Sequence, residues 1–135
     1  MSLQHRRRYV GAFLVLPLLG LLACSNATGY SSGGGGFPTR TGGDIVMVHN
    51  ASTRTNTAFS PNPFTVALNG AASVAVKFGN DDKITHNITD DSGNNLFNQN
   101  ISSGKTFTVN FTTAGDYNFH CAIHPNMVGT IHVTP

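Results

Sequence analysis

Charge is scarce in this sequence: only 10% of its 135 residues are Asp, Glu, Lys or Arg. Cysteine is scarcer still, with two residues, which leaves no room for a disulfide scaffold or a multi-cysteine zinc site. There is no internal repeat, so the chain has space for one domain. No segment sustains a helical period, which argues against a bundle. The longest apolar run, Val10 to Ala23, is broken by Pro17 and falls short of the roughly 20 residues that a membrane-spanning helix needs.

That run has another reading. His5, Arg6, Arg7 and Arg8 precede it and Leu21-Leu22-Ala23-Cys24 follows, which has the form of an export signal over residues 1–23. Leu-Leu-Ala-Cys resembles the lipobox of bacterial lipoproteins, so Cys24 is expected to carry a lipid; the alternative is an ordinary signal cleaved nearby. Without the leader, five basic residues (Arg40, Arg54, Lys77, Lys83, Lys105) face six acidic ones, a net charge of −1 in place of the formal +2. No Lys/Arg cluster survives to bind nucleic acid. Ser25 to Gly43, with Gly33 to Gly36 at its centre, is too poor in apolar residues to order itself. Residues 24–43 therefore read as a lipidated Cys and a flexible Gly/Ser linker, and 44–135 as the folded domain. This predicts an exported protein, periplasmic or extracellular, held to a membrane through Cys24.

The domain reads as strand throughout. Ile45 to His49, Phe64 to Leu68, Ser73 to Phe78, Ile84 to Thr89, Asn95 to Asn98 and Thr106 to Thr112 are β-rich runs separated by Gly, Asn, Asp and Pro turns, with Asn69-Gly70 the tightest of them. Tyr117, Phe119 and Cys121 alternate with polar residues, as do Ile131 and Val133, so the sulfur should face inward and His120 and His132 outward. The fold class is all-β, a sandwich.

Between those last two strands lies the richest chemistry in the chain. Cys121, His124 and Met127 are spaced C-x2-H-x2-M in a loop containing Pro125. Thiolate, imidazole and a soft thioether suit a metal that cycles between Cu(I) and Cu(II), and they supply three of the four ligands of a blue-copper site. A second imidazole must come from elsewhere. In Ile84-Thr85-His86-Asn87-Ile88 the alternation turns His86 inward with Ile84 and Ile88, and Thr85 and Asn87 outward, which makes His86 the favoured fourth ligand.

The segments Asp81 to Ile88 and Tyr117 to Ile131 together resemble the plastocyanin-like cupredoxins, and the two-residue gap between His124 and Met127 is similar to amicyanin. The resemblance implies a Greek-key β-sandwich of about eight strands binding one type 1 copper ion. Its ligands would be His86, Cys121 and His124, with Met127 as the long axial one. It also implies that Asn87 ties the ligand loops together and points its N–H at the Cys121 sulfur. Ile123 stands where those families usually carry proline, so its N–H is expected to give the thiolate a second hydrogen bond. Ala122 replaces a hydroxyl residue, leaving Asn87 to bond backbone groups there.

The function expected is single-electron transport by a monomer. Redox proteins would dock transiently near His124, Pro125, Asn126 and Met127. A periplasmic copper carrier or store would use the same ligands and is the alternative. An enzyme would need further copper ligands and an open position for substrate, and the remaining histidines form no paired motif.

Overall fold

The computed structural model describes residues 37–135; the expected export signal and Cys24 lie outside the described residues. Among the described residues, nine strands form two sheets. The strands are β1 (Ile45–Met47), β2 (Phe59–Ser60), β3 (Phe64–Ala67), β4 (Val74–Asn80), β5 (His86–Asp90), β6 (Asn98–Ile101), β7 (Thr106–Phe111), β8 (Gly115–His120) and β9 (Val128–Thr134). A single 3-10 turn, Ala51–Thr53, lies between β1 and β2. One sheet has the order β2-β1-β4-β7 and the other β3-β9-β8-β5-β6. Pairs β1–β4 and β3–β9 are parallel.

Alternation explains why these runs become strands with one face covered. In β7, Val109 and Phe111 are buried while Thr108 and Asn110 are exposed; in β9, Ile131 and Val133 are buried between more accessible neighbours. Asn69 and Gly70 both take positive φ, 52° and 77°, so the turn signal is obeyed. The turn does not close a hairpin, however, because β3 and β4 belong to different sheets.

The core is an aromatic cluster centred on Phe119 of β8. Its ring meets Phe59 edge-on at 4.8 Å, Phe78 at 5.4 Å and Phe97 at 6.3 Å between centroids, arrangements that suit the ring quadrupoles. On the neighbouring strand, Gly129 pairs with Phe119, and a Cβ there would lie 2.3 Å from the Phe119 ring tip. Glycine at 129 leaves room for the tip of the Phe119 ring, two residues before Cys121 on the same face of the chain.

The chain is already held to the domain ahead of Asp44. Thr41 donates both its N–H and its hydroxyl to the Asp81 carboxylate at 2.7 Å. Phe37 stacks on His49 with centroids 3.9 Å apart, and Lys83 Nζ sits 5.7 Å over the Phe37 ring. Low apolar content suggested a linker up to Gly43; polar contacts with the loop before β5 supply the attachment instead. No helix among the described residues is long and apolar enough to cross a membrane.

Candidate metal centre

The C-x2-H-x2-M spacing corresponds to two successive tight turns. His124 N–H donates to the Cys121 carbonyl at 3.2 Å, and Met127 N–H donates to the His124 carbonyl at 2.9 Å. Cys121 N–H then donates to the Met127 carbonyl at 3.0 Å, closing the loop at the end of the β8–β9 ladder. Asn126 Nδ2 fastens the outside of the loop to the Arg54 carbonyl at 2.7 Å.

His86 enters from the first residue of β5. That strand pairs with β8 only at Thr89–His120 and Asp90–Phe119, so its upstream end is free to serve the site. There Asn87 N–H reaches the Cys121 sulfur at 3.2 Å. Cys121 Sγ lies 4.0 Å from His86 Nδ1 and 3.8 Å from His124 Nδ1, and all three donor atoms fall within 4.8 Å of one another. Bonds of about 2.0 Å to nitrogen and 2.3 Å to sulfur, meeting at trigonal angles, put N and S about 3.7 Å apart, so the donors are spaced to share one ion. His86, Cys121 and Met127 are fully buried, and His124 is partly exposed.

Burial pushes the Cys121 thiol up, but hydrogen bonds from His86, the Asn87 N–H and His124 outweigh it and bring the pKa down to about 6. The same contact acts on His86: burial pushes its pKa down, and the Cys121 sulfur and Asp82 carboxylate more than offset this and raise it. In the metal-free protein the thiolate absorbance should therefore titrate near pH 6 and not near the ordinary 9.0. A depressed acid pKa stabilises the fold fully above pH 9.0, and that contribution is lost as pH falls through about 6. A spectrophotometric midpoint close to 9.0 would contradict the thiolate–imidazole contact.

Several expectations need correction. Ile84 is 39% exposed and does not share the His86 face, because β5 begins only at His86. Asn87, expected outward, is 4% exposed. Strand β6 covers it: Asn87 Nδ2 donates to Asn98 Oδ1 at 3.0 Å and to Asn100 Oδ1 at 2.9 Å. It thus has side-chain partners on β6, while the backbone N–H of Ala122 approaches its Oδ1 at 3.4 Å. Strand β6 starts at Asn98 and not Asn95, since positive φ at Gly93 and Asn95 makes that stretch a turn. The hydrogen bonds to the Cys121 sulfur include none from Ile123, whose N–H was expected there; Asn87 provides the N–H. Met127 has 0% exposure and so offers no docking surface. Ile123 (48% exposed) and Val128 (39%) are exposed beside Pro125 and Asn126.

The other histidines behave as outward residues, His120 bonding Asp91 and His132 bonding Asp116, each at 2.6 Å. One residue was missed. Asp82 Oδ2 lies 2.9 Å from His86 Nε2. Burial pushes its carboxyl up, but bonds from His86 and from the backbone of Lys83, Asn50 and Ala51 prevail and hold it below the usual range. A paired acid, Asp81-Asp82, just before a candidate ligand in so weakly charged a chain was the available signal.

The profile of the cupredoxin-like domain matches residues 47–133. The chain is a cupredoxin. Among solved structures, a purple cupredoxin from Nitrosopumilus maritimus is 27% identical with a TM-score of 0.57, over 67% of this chain and 97% of that one. A mutant amicyanin in its reduced state (24%, TM-score 0.52, 70% and 85% of the two chains) and plastocyanin from Dryopteris crassirhizoma (24%, 0.51, 67% and 98%) share the fold. No curated protein matches the sequence. With the cupredoxin family established and a His-Cys-His donor cluster beside a buried Met, the metal of this site is copper.

Proposed function

We propose that this cupredoxin carries single electrons between redox proteins outside the cytoplasm, with His86, Cys121 and His124 as strong copper ligands and Met127 as the weak axial one. The observation that carries the reading is the convergence of Cys121 Sγ, His86 Nδ1 and His124 Nδ1 within 4.8 Å at one end of a rigid sandwich. Copper supplies the reversible one-electron chemistry between Cu(I) and Cu(II). The protein keeps the donors still. Two turns and a ladder bond fix the loop, the β6 amides fix Asn87, and Asn87 N–H holds the sulfur. A donor set held this way rearranges little when an electron arrives or leaves.

His124 is the one member of the set with access to solvent, and the exposed loop residues beside it, Ile123, Pro125, Asn126 and Val128, are uncharged. A small neutral patch suits brief redox encounters, which use interfaces below about 1,200 Å². Cupredoxins generally work outside the cytoplasm; a lipid on Cys24 would keep this one at a membrane, as a monomer. The reading is of a carrier and not an enzyme; the histidines outside the site, His49, His120 and His132, engage Phe37, Asp91 and Asp116.

The test is one equivalent of Cu(II) added to the purified protein. The expected product has an intense thiolate-to-copper band and narrow copper hyperfine splitting, and ascorbate bleaches it. A colourless product, or the weak spectrum of ordinary Cu(II), would overturn the reading and favour copper storage.

A further inference from the structure

The two imidazoles of the site are held very differently. His124 stands in a loop at the surface, and no carboxylate lies within ion-pair distance of it among the described residues. His86 is clamped from behind: its Nε2 lies 2.9 Å from Asp82 Oδ2, with side-chain exposures of 0% and 2%.

The remaining contacts of Asp82 are all with donors. Oδ2 also accepts the Ala51 N–H at 3.0 Å, while Oδ1 accepts the Asn50 N–H at 3.1 Å and the Lys83 N–H at 2.8 Å. Even the Asp82 backbone is fixed, its N–H donating to Asn80 Oδ1 at 2.9 Å. Three backbone N–H groups donating to one carboxyl favour its ionised form, and an ionised carboxylate can only accept from His86 Nε2. Neutral imidazole has one N–H and one lone pair. With Nε2 giving its proton to Asp82, the lone pair falls on Nδ1, the nitrogen that faces Cys121.

We propose that Asp82 is a positioning residue that fixes the His86 ring and tautomer and lowers the reduction potential of the site. This rests on the copper-carrier reading above. A carboxylate bonded to the far side of a metal-binding imidazole makes the ring a stronger donor. Its negative charge, lodged where little water screens it, favours the more positive oxidised ion over the reduced one. Removing that charge therefore shifts the balance toward Cu(I).

The experiment uses the full chain loaded with copper, as wild type, Asp82→Asn and Asp82→Glu. Loss of an outer partner typically costs about 10–100-fold in metal affinity. A loss of about tenfold in Cu(II) affinity relative to Cu(I) raises the potential of Asp82→Asn by about 59 mV. Asp82→Glu, which keeps the charge, should stay nearer to wild type. Asp82 also anchors the turn after β1, so lower stability in Asp82→Asn is expected on any account, but a merely structural role would leave the potential in place. A blue Asp82→Asn protein with an unchanged or lower potential overturns the proposal. NMR of reduced wild type gives a test independent of folding in the variants: the His86 Nε2–H should be shifted to low field and protected from solvent exchange, and free exchange overturns the proposal. A wild-type protein that never turns blue overturns the copper reading and this inference with it.

Discussion

Cys121→Ser should fold, stay colourless with Cu(II), and bind the metal well over 100-fold more weakly. Loss of an outer partner alone costs about 10–100-fold, and here a direct donor disappears. The intense band of a blue site arises from charge transfer out of thiolate sulfur, and a serine hydroxyl neither ionises at neutral pH nor offers a soft lone pair. The native thiol is prepared for this role, with its pKa brought down to about 6. Folding should survive because the serine oxygen can still accept the buried Asn87 N–H that now reaches sulfur at 3.2 Å, so no donor is stranded. What vanishes is the stabilisation from metal binding, about 2.7 kcal/mol when free ligand stands at 100 times its Kd. Visible and EPR spectra, copper titration and far-UV circular dichroism separate these effects. Retention of an intense visible band in Cys121→Ser would show that another donor makes the colour.

The contrast between Cys121 and Asp82 shows what could be read from sequence. Cys121 was legible because alternation with Tyr117 and Phe119 assigns its face, and because the spacing to His124 and Met127 is local and corresponds to two turns. His86 was legible by the same alternation, although Ile84, used to support it, proved exposed. Asn87 could not be placed from its own strand, since what buries it is β6, whose pairing register with β5 is a tertiary fact. Asp82 lies in no strand, so no alternation assigns it a face, and only its pairing with Asp81 ahead of His86 pointed to it. Composition also misjudged the chain before Asp44, where Phe37 and Thr41 are held by individual partners and not by an apolar face. Strand β2, Phe59–Ser60, has only two residues, too few for any period to register. Sheet order, finally, depends on which strands meet across the sandwich, and local pattern does not encode that.

Phe119→Ala should destabilise the metal-free protein by about 3–5 kcal/mol, the range for deleting a large buried aromatic. Domains of this kind have only about 5–15 kcal/mol in total, so the variant should lose a large part of its urea resistance. The upper half of the range is expected for two reasons. Phe119 is 1% exposed and touches Phe59, Phe78 and Phe97, partners supplied by the opposite sheet and by the segment before β6. Nor can the gap close easily, because the facing position is Gly129, which has no side chain to swing in. The loss should reach the site as well: Phe119 is two residues from Cys121, and its strand sets the direction of the sulfur. Metal should therefore recover part of the stability, since binding favours the folded form, while the visible band broadens as the donors gain freedom. Urea unfolding with and without copper, followed by tyrosine fluorescence and by the visible band, measures both. A loss below about 1 kcal/mol would mean that the two sheets close over the cavity, and that the aromatic cluster is not what holds the Cys121 end of β8 in place.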